Sequence, residues 1–273
     1  MNTPHSLVEI AQHRALGMFT FDMARYFIGA GLVALAVWGL RKTNWASRKI
    51  QKREATAADI RREVLASVRT VLVYTVVSIL TVWGISRGYL SGLEASQGWA
   101  IDTAILVGLL LVHDAYFYWV HRAMHHPRLF KSFHRFHHRT ITPTPWAAYS
   151  FALPEAIVMA VFMPIWLALV PTPGWVTFTF LAIMILRNAM GHAGLELHAR
   201  GWATHPLLKW ISTTTHHDLH HAGSFNHNFG FYLTFWDKMM GTEHPDYVAT
   251  FNRVTAPAAT PKTSTELAPS PVL

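Results

Sequence analysis

Five apolar stretches, at residues 22–40, 68–86, 100–120, 149–170 and 174–190, are each close to the length needed to cross hydrocarbon. No water reaches the bilayer core to satisfy exposed peptide groups, so stretches of this length are read as helices. The composition agrees: with 51% hydrophobic and only 14% charged residues the chain has too little polar surface for an ordinary soluble domain. The fold class expected is all-α, an integral membrane helical bundle with four or five spans and a cytoplasmic helical cap. The first stretch follows twenty mixed residues and precedes the basic run "RKTNWASRKIQKRE", so it reads as an anchor rather than a cleaved signal peptide.

Charge sets the orientation. The loop from Arg41 to Glu63 carries eight Lys or Arg against three acids, whereas Arg87 to Trp99 has a single Arg and "PTPG" at 171–174 has none. The 41–63 loop is therefore expected in the cytoplasm. Threading the chain from there brings the segments after residues 120 and 190 back to the same side. Residues 149–190, with Pro154, Pro164 and the "PTPG" turn, either span twice or form a re-entrant hairpin, and the sidedness is the same. The expected location is a bacterial inner membrane with the C-terminus cytoplasmic. The net charge of +8 lies mainly beside apolar segments, which accounts for it without nucleic acid. The organisation expected is an anchor region with two spans at 1–99, a histidine-rich domain at 100–250, and a disordered tail rich in Pro, Ala, Ser and Thr at 251–273.

The chain has no cysteine, so any bound metal is held by histidine or carboxylate. Fifteen of the 18 histidines fall between His113 and His227. They form HxxxH at His121 and His125, HxxHH at His134, His137 and His138, a single His192 after glycine, and a second HxxHH at His217, His220 and His221. These spacings are helical, so each group can aim two or three imidazoles at one point from a rigid backbone. Eight or nine convergent nitrogens exceed the three or four that one zinc needs, and favour two metals. The HExxH arrangement of zinc hydrolases is absent, because Arg122, Arg135 and Asp218 follow the leading histidines. Asp114, Asp218, Asp237, Glu155 and Glu196 are near enough in sequence to accept a ligand's second ring N–H. Lone His5, His13, His205 and His244 read as solvated or locally satisfied. His113 reads as a residue within the membrane, His198 as off the His192 face, and His126 and His216 as pointing away from the ligands.

"DAYFYWVHRAMHHP" at 114–127, "HRFHH" at 134–138, "GHAG" at 191–194, "HHDLHH" at 216–221 and "NFGFYLTFWDKMMGT" at 228–242 resemble the fatty acid hydroxylase and sterol desaturase superfamily of membrane di-iron enzymes. The resemblance covers roughly residues 100–245, which makes that region a fatty acid hydroxylase-like catalytic domain. It implies an oxidoreductase with two iron ions that uses O2 and two electrons to hydroxylate or desaturate a lipid: sterol-like, fatty acyl or another isoprenoid. The ligands it implies are His121, His125, His134, His137, His138, His192, His217, His220 and His221. One departure is "SFALPEA" at 150–156, where many sterol-type members carry histidine and proline before the acid; it weakens any transfer of sterol specificity and removes none of the box ligands.

The residues add a location and a partner. A helix from Ile101 through His125 runs about 37 Å at 1.5 Å per residue, past a hydrocarbon core of about 30 Å, so the metal site is expected just beyond the membrane interface. A membrane lipid is then the substrate expected. The chain has no dinucleotide fingerprint, no cluster cysteines and no recognisable haem domain, which calls for an external reductant delivered by a ferredoxin- or cytochrome-type partner. Asp114, two turns before His121, and Asp218, inside the last box, are expected to reach a ligand ring and tune it. Two other classes fit histidines near membrane spans: a zinc-dependent membrane hydrolase and a histidine-rich metal transporter.

Overall fold

The computed structural model describes residues 6–91, 93–223 and 225–257. It is helical throughout, apart from one pair of two-residue strands. Among the described residues four helices are long and apolar enough to cross a membrane: α1 (Leu7–Leu40), α2 (Ala57–Ser86), α3 (Trp99–Met124) and, after several shorter elements, α7 (Gly174–Gly191). Their outer faces expose Leu32, Leu35, Leu72, Val76, Val107 and Leu111, side chains that only a lipid environment accommodates in such number.

Local chemistry sets the helix starts. Ser6 and Glu9 form a capping box at the head of α1, Ser6 Oγ accepting from the Glu9 N–H at 3.2 Å. The helix therefore begins fifteen residues before the apolar stretch at 22–40, because capping, not hydropathy, decides where a helix starts. Thr56 and Asp59 form the same box ahead of α2. With 34 and 30 residues these helices measure about 51 and 45 Å, well beyond the hydrocarbon thickness.

The apolar stretch at 149–170 is not one helix. It follows a short 3-10 turn at Pro145–Tyr149 and holds α5 (Leu153–Ala160) and α6 (Phe162–Leu169), broken at Val161 just before Pro164. The turn that follows, strand β2 (Thr172–Pro173), pairs in parallel with β1 (Leu93–Glu94) from the α2–α3 connection. Ser91 N–H donates to the Leu167 carbonyl at 3.1 Å, and Trp175 Nε1 donates to Asp102 Oδ2 at 2.9 Å. The α5–α6–α7 hairpin thus reaches the end of the bundle where α3 begins.

At the opposite end a cap of short helices gathers: α4 (Pro127–Phe133), α8 (Thr214–His221), α9 (Phe235–Met239) and α10 (Tyr247–Thr255). Tyr247 and Phe251 of α10 pack with Ala203, Trp202 and Leu219, so residues 251–255 are ordered helix rather than part of a disordered tail. Residues 258–273 of that expected tail lie outside the described residues. Tyr26, Val71, Tyr149, Ile185 and Ala189 share one core, so the two N-terminal helices pack directly against the histidine-bearing half.

Candidate metal centre

Nine histidines meet where α3, α7 and α8 end and where the chain leaves α4. They form two groups, His121, His125, His134, His138 and His220 in one and His137, His192, His217 and His221 in the other. Within each group the facing ring nitrogens lie within 4.8 Å of one another, and all nine residues are buried. The groups share a wall: the His138 and His221 rings stack at 5.0 Å, and His134 and His137 lie at 5.1 Å.

The two HxxHH boxes are each divided between the groups. His134 and His138 face the group of five and His137 the group of four. In the second box His217 and His221 face the group of four and His220 the group of five. The expectation that each box aims at one point is therefore corrected. Residues 134–138 are not α-helical either; α4 ends at Phe133 and a 3-10 turn starts at His137. On α8, where the helix is regular, positions i and i+4 share one target and i+3 lies off to the side, a rotation of about 60° away from i.

The hydrogen bonds fix which nitrogen faces inward. His121 Nδ1 meets the Phe229 carbonyl at 2.9 Å, His192 Nδ1 the Asn188 carbonyl at 2.8 Å, His220 Nδ1 the His227 carbonyl at 2.7 Å and His221 Nδ1 the Thr140 carbonyl at 2.8 Å. His137 Nδ1 meets the Ser150 carbonyl at 3.3 Å, and His134 Nδ1 meets Glu155 Oε1 at 2.6 Å. A carbonyl or carboxylate only accepts, so each Nδ1 carries the proton and each Nε2 presents a lone pair to the interior. There the Nε2 atoms face one another: His121 and His134 at 2.9 Å, His125 and His138 at 3.1 Å, His192 and His217 at 3.1 Å, His217 and His221 at 3.2 Å. His220 Nε2 is buried with no partner.

Converging lone pairs repel unless a cation lies between them. At metal–nitrogen distances of about 2.0–2.1 Å, neighbouring ligand nitrogens are about 2.9–3.4 Å apart, which is the spacing found here. Electrostatics point the same way. Burial first, and neighbouring imidazoles second, hold His134, His137, His138, His217 and His220 well below the ordinary histidine range. The rings are neutral at pH 7 and available as donors. An all-imidazole, cysteine-free set fits iron, and equally zinc, copper or nickel.

The acids are arranged differently from expectation. Of the five candidate acids, Glu155 touches a ring of the nine, at His134, whereas Asp114 and Asp218 do not. Asp114 Oδ1 accepts from the Tyr232 and Leu233 N–H groups at 2.8 and 3.0 Å and meets neither a ligand ring nor Arg122. Asp218 Oδ1 accepts from Gln51 Nε2 at 2.8 Å, tying α8 to the basic 41–63 loop instead of to a histidine. Sequence spacing gave their face on the helix but not the chain segment lying opposite. Glu196 pairs with His198 Nδ1 at 2.7 Å and also accepts from the Thr215 N–H, anchoring the head of α8. Of the neighbouring histidines, His216 is buried against Tyr247 and within 3.4 Å of Asp237, and exposed His126 caps α4 through the Arg128 N–H.

Residues 228–233 form a clamp that spacing alone did not reveal. Asp237 accepts from the Phe229 and Gly230 N–H groups at 2.9 and 2.8 Å, Asp114 from Tyr232 and Leu233, and the Phe229 carbonyl orients His121. Asn228 sits in the left-handed region at φ 59°, which asparagine tolerates, and its side chain bridges the His216 carbonyl and the His244 N–H. A Cβ on Gly230 would come within 2.8 Å of Asp237 Oδ2 and closer still to the Leu233 carbonyl, so only glycine fits. The signal was present in the sequence as "NFGFYLTFWD", but its geometric meaning was not.

Beside the histidines a cavity of about 450 Å³ opens between α1, α2, α3, α6 and α7. Phe117, Phe151 and Phe231 form its wall toward the metal site. Phe117 packs on His121 at 5.1 Å and Phe151 on His137 at 5.4 Å, so the cavity approaches both groups.

Comparison with known proteins gives a consistent picture. Mouse cholesterol 25-hydroxylase is 33% identical over 153 residues, 55% of this chain and 49% of that protein. The Delta(7)-sterol 5(6)-desaturase ERG3B of Gibberella zeae is 32% identical over 146 residues, 53% of this chain and 43% of its own length. Mouse lathosterol oxidase is 28% identical over 169 residues, covering 61% and 54%. The chain spans about half the length of the curated relatives it matches. No solved structure matches it significantly. The fatty acid hydroxylase profile matches residues 106–242, half of the chain and the segment that holds all nine histidines, and the protein belongs to the fatty acid hydroxylase family.

Proposed function

We propose that the protein is a membrane-bound non-haem di-iron oxygenase that hydroxylates or desaturates a lipid with O2 and two electrons. The observation that carries this reading is the division of nine neutral, inward-facing imidazoles into adjacent groups of five and four beside an apolar cavity. His121, His125, His134, His138 and His220 would hold one iron and His137, His192, His217 and His221 the other. When bound, the two irons supply activation of dioxygen and oxidation of a C–H bond. Hydroxylation balances as R–H + O2 + two electrons + two protons giving R–OH and water; desaturation removes two hydrogens and gives two waters.

The protein's own groups do the rest. Six Nδ1–H groups, held by five backbone carbonyls and Glu155, lock the rings so that each Nε2 stays deprotonated and aimed inward. The phenylalanine wall excludes bulk water from the reacting carbon. The cavity admits an apolar chain or ring system from the bilayer, as the names of the sterol-modifying relatives also suggest. Sterol, acyl or other isoprenoid substrates are separated by experiment and not by the fold.

Electrons come from a separate ferredoxin- or cytochrome-type protein. A groove lined by Arg61, Arg62, Arg69, Leu65 and Phe136 supports this, because Phe136 lies within "HRFHH" between His134 and His137, and three arginines there suit an acidic partner. The orientation follows from the 41–63 charges: the histidines face the cytoplasm of a bacterial inner membrane, with residues 1–99 as anchor and 100–250 as catalytic domain. Comparative lipidomics of a deletion strain tests the reaction. A lipid that shifts by one oxygen or two hydrogens is expected, and an unchanged lipidome in a strain that expresses the protein contradicts it.

A further inference from the structure

The cavity wall contains an ion pair. Asp22 and Arg25 on α1 line it, joined by Arg25 Nη2 to Asp22 Oδ1 at 2.7 Å, with side chains only 8% (Arg25) and 6% (Asp22) exposed. Three rings surround the guanidinium: Tyr149 at 5.7 Å and Phe21 and Tyr74 at 6.0 Å. Yet Arg25 Nε and Nη1 are buried and meet no acceptor. A guanidinium in a membrane-spanning helix is costly, and leaving its donors unmet adds to that cost, so such a residue marks a functional site unless the fold satisfies it. Here the fold supplies one carboxylate and three rings and leaves the remaining donors for something else.

We propose that the Asp22–Arg25 pair is the subsite that reads the polar end of the lipid, and that it takes a neutral oxygen, a hydroxyl or carbonyl, rather than a free carboxylate. The unpartnered Nε–H and Nη1–H groups point in different directions, and a hydroxyl or carbonyl oxygen accepts from one of them. Asp22 already neutralises the guanidinium, so a second carboxylate would bring an uncompensated negative charge into a low-dielectric cavity. The subsite is also placed to set reach. Tyr149, which packs on Arg25, neighbours Phe151 at 6.3 Å, and Phe151 packs on His137. A lipid anchored at Arg25 therefore lies along the wall that ends at the histidines. His113 is the competing polar point in the cavity: its Nδ1 is unpartnered, but Phe162, Phe180 and Phe231 box the ring and no carboxylate pairs with it.

This inference extends the proposed lipid oxidation, and its test is read as equilibrium binding without O2 or reductant, so it can fail or succeed independently of turnover. The probes are cholesterol against its 3-deoxy analogue, and hexadecanol against hexadecane and palmitate, titrated into purified full-length protein. Wild type is expected to bind the alcohol of at least one pair about tenfold or more tighter than its deoxygenated partner, the worth of one hydrogen bond from a charged donor, and to show no such gain for palmitate. Arg25→Met is expected to erase that preference while leaving the affinity of the deoxygenated probe unchanged, which also shows that the cavity is folded. The isoelectric double variant Asp22→Asn/Arg25→Gln gives the same reading if the single variant does not fold. His113→Phe is expected to retain the preference. Equal affinity for alcohol and hydrocarbon in both pairs of wild type, preference for palmitate, or preference lost in His113→Phe and kept in Arg25→Met overturns the assignment.

Discussion

Removing the Glu155 carboxylate tests whether ligand orientation controls the centre. Glu155 is 1% exposed, and its Oε1 holds His134 Nδ1 at 2.6 Å, which turns His134 Nε2 toward His121 Nε2 at 2.9 Å. Glu155→Leu removes the acceptor and leaves a buried N–H unmet. A hydrogen bond to a charged group contributes about 1.5–3 kcal/mol, and at about 1.4 kcal/mol per factor of ten that is roughly 10- to 150-fold in metal affinity. This agrees with the roughly 10- to 100-fold typical of such partners. Glu155→Gln keeps a neutral acceptor at the same position and should lose about tenfold or less. Iron retained during dialysis against a graded chelator, measured beside turnover with a chemical reductant, reads both effects. Glu155→Leu with wild-type iron affinity and turnover would refute the reasoning.

Other outcomes follow from the same geometry. Gly230→Ala forces Asp237 and the Leu233 carbonyl apart and should lower the thermal midpoint and iron content together, whereas Gly241→Ala, which meets no neighbour but sits at φ 65°, should affect stability alone. Asp218→Asn keeps an acceptor for Gln51 and touches no ligand ring, so turnover per iron should stay within about twofold; a loss near 100-fold would show that Asp218 acts on the metals. Arg61→Glu in the groove beside Phe136 should raise the KM for an acidic protein donor about tenfold and leave turnover with a small chemical reductant unchanged. Metal-free protein should lose stability as pH falls through the ordinary histidine value of 6.5. The buried rings have folded values below the unfolded one, so the unfolded chain binds more protons there, at up to about 1.4 kcal/mol per group per pH unit. Calorimetry between pH 7.5 and 5 that shows a constant midpoint for the metal-free form contradicts this.

The sequence disclosed the spans and the nine histidines because both depend on residue type and local spacing. Hydropathy marks a membrane helix wherever it packs, and the i, i+3, i+4 pattern of histidines is visible without a partner segment. What spacing could not give was which chain lies opposite. His134 and His137 face different groups, as His217 and His220 do at the same i, i+3 spacing on regular α8, and nothing in "HRFHH" itself announces that there are two targets. Asp114 lies on the face of His121, as helix geometry dictates, but Tyr232 and Leu233 lie opposite and their N–H groups take its carboxylate. Glu155, one of five acids the sequence offers as partners of a ligand ring, reaches His134 across 21 residues of chain, and spacing does not single it out from the other four. The start of α1 was hidden for another reason: Ser6 and Glu9 cap a helix whose first turns are too mixed in polarity to stand out by hydropathy.

Metal stoichiometry tests the central claim most directly. Purified full-length protein, loaded anaerobically with ferrous iron and desalted, is expected to retain about two irons per chain by elemental analysis, with little zinc. His192→Ala, in the group of four, and His125→Ala, in the group of five, are each expected to retain about one, while the His125→Ala/His192→Ala double variant retains close to none and still inserts in the membrane. One zinc per chain in place of iron, or single variants that each lose all metal or none, would contradict two adjacent iron sites built from five and four histidines.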